Sequence, residues 1–352
     1  MTIRPILSAM RKSSSGVLLV ALQIALTLAI LANALYIVNQ RLREAATASG
    51  TVEAGLMYIA VADKTADVTG AVIERDVARL RAIPGVLSAS YVSQVPLSQS
   101  GSNSGFQVDP DAVDSPAAAA TYRADATIVQ TLGLQLVSGR DLRAEDQGLL
   151  RWDDLGTQYP RVALITRSLE GVLFPGESAV GKTIHAGRGA PGVEVVGVVD
   201  ALVSPWGRTS WGGDPGHSVI FPQRMAIPSL TYAVRVDPAQ MDRVLGEARS
   251  VLQPQVPGRL VLSTRTMAET RAARYRSERT VIRGLGLVIT LLLVMTAGGI
   301  IGLASLWVSQ RRKQIGVRRA LGARRRDILE DFLVEKLLSS ARGVGVGAVV
   351  AD

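Results

Sequence analysis

The sequence predicts a membrane α-helical anchor, two spans plus a partial third, with an α+β extracytoplasmic domain inserted between spans 1 and 2. Three observations predict it. Residues 17–38 and 284–308 are uncharged runs of 22 and 25 residues. The stretch between them, 39–280, balances 25 basic against 25 acidic groups, so the net charge of +9 sits beside the apolar runs. That stretch alternates short β-branched runs with amphipathic and turn-rich ones, the pattern of mixed sheet and helix.

The first run would make roughly 33 Å of helix, enough for a hydrocarbon core of about 30 Å. Gln23, Thr27 and Asn33 are its polar interruptions. A cleaved leader has an apolar core of about 7–15 residues, so an uncleaved anchor fits better. The second run is rich in Leu, Ile, Val and Gly and ends at Trp307, a residue favoured at membrane interfaces. Arg311, Arg312, Lys313, Arg318, Arg319, Arg324, Arg325 and Arg326 follow it without an acid among them. The positive-inside rule places that loop in the cytoplasm, and Arg4, Arg11 and Lys12 place the N-terminus there too. Arg271, Arg274, Arg276 and Arg279 then fall on the outer side, which a long translocated domain tolerates.

The organisation that follows is a cytoplasmic segment 1–16, a span 17–38, an outer domain 39–265 and a stalk helix 266–283. A second span 284–308, a cytoplasmic coupling loop and helix 309–342, and the start of a third span at 343–352 complete it. That last apolar stretch is about half a span, so the sequence is expected to stop inside a membrane helix.

Within the domain, strands are expected at 52–62, 86–92, 121–126, 134–138, 161–166, 183–186, 193–199, 218–221, 231–236 and 259–263. Residues 67–82 read as a helix with Val68, Ala71, Val72, Val77 and Leu80 near one face, ended by Ile83-Pro84-Gly85. Asp237-Pro238 starts another, running to about Leu252. Residues 98–104, 109–120 and 204–216 read as loops. From Thr266 one continuous helix is expected to run into the second span.

Candidate chemistry is sparse. Gly176-Glu177-Ser178-Ala179-Val180-Gly181-Lys182-Thr183 satisfies the G-x4-G-K-[ST] phosphate-loop pattern. Such a loop must follow a strand and open a helix, so that backbone N–H groups face the phosphates. Here Phe174-Pro175 precedes it and Gly/Pro-rich residues follow Thr183-Ile184-His185. A Gly-rich turn between helix and strand is therefore the reading, with no nucleotide site. His185 and His217 have no spaced ligand partners, and Asp109, Asp111 and Asp114 lack the other ligands of a calcium loop. The chain has no Cys, which excludes disulfides and thiolate metal sites. No catalytic residue, metal or cofactor is expected. Charge concentrated at membrane flanks, not on a folded face, argues against nucleic acid.

The most specific local signal is Gln314-Ile315-Gly316-Val317-Arg318-Arg319-Ala320-Leu321-Gly322-Ala323, followed by Phe332-Leu333-Val334-Glu335. It resembles the loop after the second span in the FtsX/MacB-type ABC permease family. The opening Ile3-Arg4-Pro5-Ile6 is similar too, and residues 39–280 look like that family's MacB-like periplasmic core domain. The family's turn in that domain is similar to Phe174-Pro175-Gly176 through Lys182. The family has four spans, and its frequent Glu is Gln314 here.

The resemblance implies a permease subunit, for efflux or mechanotransmission, in a bacterial inner membrane with its large domain in the periplasm. A separate cytoplasmic ABC ATPase would dock on residues 314–323, and ATP hydrolysis would belong to that partner. A homodimer or paired permease, membrane lipid and a periplasmic adaptor are the other implied partners. Small Gly316, Ala320 and Gly322 would permit close approach, and Arg318 and Arg319 could pair with acids on the partner. The alternative is a membrane-anchored extracytoplasmic sensor or scaffold without ATP coupling.

Overall fold

The computed structural model describes residues 14–46, 48–63, 69–113, 117–207, 213–253 and 258–310. It divides into two units, one spanning residues 46–276 and one comprising the flanking segments 1–45 and 277–352.

The chain enters through α1 (Ser14–Ala46) and begins the domain with β1 (Leu56–Asp63), α2 (Gly70–Arg81) and β2 (Val86–Tyr91). Next come β3 (Asn103–Phe106), β4 (Ala117–Arg123), α3 (Ile128–Leu132), β5 (Leu136–Gly139) and β6 (Gly148–Arg151). Then follow β7 (Val162–Thr166), α4 (Arg167–Leu173), β8 (Thr183–His185), β9 (Gly192–Val199), β10 (Ser218–Phe221) and β11 (Gln223–Ala226). The chain closes with β12 (Ser229–Val236), α5 (Met241–Leu252), β13 (Arg259–Thr266), α6 (Met267–Arg274) and α7 (Arg276–Gln310).

An antiparallel sheet of order β13-β1-β12-β2 forms one half of the domain. Alternation along β1 sends Met57, Ile59 and Val61 to one face. There they join a core with Ile73, Val77 and Leu80 of α2 and Val244, Ala248 and Leu252 of α5. Leu56 and Tyr58 face the other way, into a second core. The expected helical face is thus corrected. Ala71 is exposed and Val72 only half-buried, while Ile73 and Asp76 take the inner stripe. An acid can sit there because Arg259 reaches it. Arg259 donates to Asp76 at 2.7 Å and bidentately to Asp63 at 2.6 and 2.7 Å. All three side chains are 0% exposed, and the Tyr232 hydroxyl donates to Asp76 at 2.8 Å. Buried charges survive only when paired in this way.

The other half is a seven-stranded mixed sheet, β3-β4-β10-β7-β9-β5 with β8 on β9. β10 runs parallel to β4 and β7 parallel to β9. Its core, built on Phe106, Ile165, Leu169, Val195 and Phe221, is closed on one side by α4. The first residues of β3 (103–104) and of β4 (117–120) occupy stretches expected to be loop. Ala117, Ala119 and Ala120 have little intrinsic strand preference, yet their small side chains are buried in the packed sheet. β1 starts at Leu56 instead of residue 52, because Gly55 turns the chain at φ +80°.

The flanking unit contains α1 and α7. Leu22–Gln40 and Thr280–Gly302 are long and apolar enough to cross a membrane. Leu22, Leu26, Tyr36, Leu287, Leu291 and Val294 are all more than half exposed, unlike the core helix of a soluble protein. The two helices touch through the polar interruptions. Gln23 Nε2 donates to the Met295 carbonyl at 3.4 Å, and the Thr27 and Thr296 hydroxyls lie 2.9 Å apart. Gly299 admits Gln23: a Cβ there would lie 2.8 Å from Gln23 Oε1. Small residues and side-chain hydrogen bonds are what hold helices together in lipid. Asn33 is exposed.

Candidate functional site

The domain is tied at the two points where the chain joins the long helices. On the outgoing side, Thr266 ends β13 and caps α6. Its hydroxyl accepts from the Glu269 N–H at 3.1 Å, and the Glu269 carboxylate accepts from the Thr266 N–H at 2.8 Å. This reciprocal capping box satisfies two N–H groups that the first turn leaves open. Met267 is fully buried in the core. Arg274 donates through Nε and Nη2 to the Trp206 carbonyl at 3.2 and 3.0 Å. The guanidinium groups of Arg271 and Arg274 lie over the Tyr275 ring, 6.0 and 5.5 Å from its centre.

On the incoming side, Gly50 adopts φ +81°. Its backbone passes so close to residue 201 that a Cβ would lie 2.1 Å from the Ala201 carbonyl oxygen. Backbone bonds from Val203 N to Ser49 O at 3.0 Å and from Val52 N to Leu132 O at 2.9 Å fix the segment. The Ser49 hydroxyl donates to Glu53 at 2.7 Å. Glu53 then receives Arg271, whose Nε lies 3.0 and 2.9 Å from the two carboxylate oxygens. Lead-in and lead-out are therefore locked together by a charge-assisted fork.

α6 is not continuous with α7. Tyr275 stands between them at φ −94°, ψ 8°, in the bridge region and outside both helices. The expected unbroken helix from Thr266 is corrected by this break. Arg271, Arg274 and Met267 hold α6 to the domain, and Tyr275 packs against the same core. The sequence carried two signals of this joint: the Thr266-x-x-Glu269 box, and arginines three apart on a segment with no charge requirement of its own.

The phosphate-loop lookalike lies elsewhere, as a turn between α4 and β8. Gly181 adopts φ +80° and donates its N–H to the Val195 carbonyl at 2.8 Å; the Ala179 N–H goes to Glu170 at 2.9 Å. Lys182 pairs with Glu177 and lies 4.9 Å from the centre of the Phe174 ring. A strand follows where a phosphate cradle has a helix. His185 Nδ1 lies 2.8 Å from the Ala190 carbonyl, and His217 is buried. No group of His, Asp and Glu that could hold a metal occurs among the described residues. Asp114, the sequence-predicted docking residues 314–323, the N-terminal segment 1–13 and the partial third span all lie outside the described residues.

In comparison with known proteins, residues 286–351, which take in 314–323, match the family model of the FtsX-like permease C-terminal region. The macrolide export ATP-binding/permease protein MacB of Azoarcus sp. (strain BH72) is 29% identical over 225 residues, covering 61% of this chain and 32% of that protein. MacB of Wolinella succinogenes is 27% identical over 201 residues, covering 54% and 30%. The chain spans about a third of the length of these curated relatives. Among solved structures, the periplasmic region of MacB from Actinobacillus actinomycetemcomitans aligns over 64% of this chain and 94% of that one, at 15% identity and a TM-score of 0.37.

Proposed function

We propose that this chain, a relative of the FtsX/MacB-type ABC permeases, is the membrane component of an ATP-driven transport or force-transmitting system. The observation that carries the reading is the family match over residues 286–351, which takes in most of α7 and the basic loop beyond it. In this reading α1 and α7 cross the bacterial inner membrane and hold residues 46–276 on its outer side. A separate cytoplasmic ATPase docks on Gln314 to Ala323 and performs the hydrolysis. The MacB relatives are named as ATP-binding/permease proteins, so permease and ATPase activities are joined in them.

The joint described above gives the motion a route. Displacement of α7 would be felt at Tyr275 and passed through Arg271 to Glu53, and so to the segment after α1. Because the pair links the two connections, displacement at one would be felt at the other. Association with a second permease copy or with a periplasmic adaptor belongs to the same proposal.

The test is affinity capture of the full chain with its host's membrane and cytosolic proteins. An ABC ATPase should co-purify, and Gly316→Leu or Gly322→Leu should remove it, because bulk there blocks close approach. Capture unchanged by both substitutions would refute the docking assignment. Absence of any ATPase would leave an anchored outer sensor or scaffold as the function.

A further inference from the structure

The sheet β13-β1-β12-β2 is covered on one face by α2 and α5. On the other face its centre is hollow. Ala60 of β1 stands between its partners Thr231 of β12 and Ser263 of β13. All three are small, and each is half-buried, although β1 and β12 are interior strands of the sheet. They floor a half-open cleft of about 180 Å³. Its wall is the loop through Leu97 and Gln99, and its roof is α6, through Thr270 and Arg274.

Four further features mark the cleft as built. Leu97 and Gln99 both hold left-handed backbone, at φ +62° and +66°. Non-glycine residues in that region are strained, and such strain concentrates at functional sites. The β1–β13 ladder slips at Ala60/Val61, leaving Leu262 as an extra residue; bulges of this kind recur beside binding sites. Tyr58, which pairs with Arg265 across the strands and lines the cleft, is 4% exposed and its hydroxyl lacks a hydrogen-bond partner among the described residues. Lastly, Arg265 and Arg274 line the cleft and, among the described residues, no acid does. Arg265 is exposed and forms no ion pair among the described residues.

We propose that this cleft is a binding site for a small amphiphile carrying one acidic group, a carboxylate or a phosphate. Its apolar part lies over Ala60 and against Leu97, and its anion meets Arg265 at the mouth. The volume holds on the order of ten water-sized groups, which limits the buried part to a short chain. The site also borders α6, so occupancy braces the helix that leads into α7. The inference stands on the domain alone and does not require that an ATPase docks, so its failure and that of the permease reading are separate results.

The experiment is saturation-transfer NMR on the full chain in lipid nanodiscs. Hexanoate is the probe, hexanamide its uncharged match, and empty nanodiscs the blank. Saturable hexanoate binding with a Kd on the order of 1 mM is expected for about eight non-hydrogen atoms, with hexanamide at least about 5-fold weaker. Arg265→Gln should bring hexanoate down to the hexanamide level. Ala60→Leu should abolish saturable binding of both, and Ser263→Leu, which fills the floor from the neighbouring strand, should do the same. Circular dichroism identifies which filling variant is folded, and that variant is the one read. Hexanoate signal no greater than the blank, saturable binding that survives filling, or equal binding of hexanoate and hexanamide would each overturn the proposal.

Discussion

Breaking the Glu53–Arg271 fork should loosen the domain at both of its connections at once. The side chains are 30% and 21% exposed, so the pair lies between two regimes. Exposed pairs contribute about 0.2–1 kcal/mol, and hydrogen bonds to charged groups with little solvent about 1.5–3 kcal/mol. A coupling energy of about 1.5 kcal/mol follows for two near-ideal contacts with partial screening. Arg271→Ala also gives up the contact with the Tyr275 ring, about 0.5 kcal/mol at such exposure. Its total loss of about 2 kcal/mol should lower the Tm of a domain this size by about 4–8 °C. Glu53→Gln is the matching change, because it keeps an acceptor for Ser49. The assay is a double-mutant cycle on urea unfolding of the full chain in detergent micelles, followed by tryptophan fluorescence. Trp206, whose carbonyl receives Arg274, reports locally. A coupling energy below about 0.3 kcal/mol, the ordinary error of additivity, would show that the fork does not join the two connections.

Other outcomes follow from the same geometry. Because the chain has no Cys, the Thr27→Cys, Thr296→Cys double variant should form a disulfide on mild oxidation, and Gly299→Leu should cut its yield by displacing Gln23; gel mobility reads both. Arg259→Met should cost the domain about 3–5 kcal/mol by leaving Asp63 and Asp76 charged and buried without their partner, measured by urea unfolding; a loss under about 1 kcal/mol would contradict the buried pairing. Hydrogen bonds from Arg140, with help from the Arg143 N–H, hold the Asp146 carboxyl below its ordinary value of 3.8. A carboxyl depressed in the folded state stabilises above the unfolded value and ceases to do so as pH falls through the folded one. Asp146→Asn should therefore flatten the stability profile below about pH 4 relative to the parent, read as Tm against pH.

The parts of the fold legible in the sequence were those with strong periodicity or long uncharged runs. Both long helices, the strands at 86–91, 162–166, 193–199 and 218–221 and the helix after Asp237-Pro238 belong there, since burial pattern and local chemistry agree. Misreadings arose where tertiary contacts decided. Alanines 117–120 look like a loop and pack as a strand. Asp76 faces the core only because Arg259, 183 residues on, comes to meet it. The break at Tyr275 has no Gly or Pro to announce it; it comes from Arg274 binding Trp206 and Tyr275 packing on the core. The joint was half visible, as a capping box and unexplained arginines, while Glu53 had no local mark at all. The hollow over Ala60 could not be read either, because three small residues from distant strands make it only once the register is set.

ATP-driven motion can pass to the domain only if the domain and the basic loop lie on opposite sides of a membrane. Single cysteines placed in the Cys-free chain, Ser178→Cys in the domain and Gln314→Cys in the loop, can be labelled with a membrane-impermeant maleimide. In cells whose outer membrane alone has been permeabilised, the cysteine at 178 should react and the one at 314 should react only after lysis. Labelling of position 314 in the unlysed cells would contradict the topology, and with it the delivery of ATP-driven motion from inside to outside.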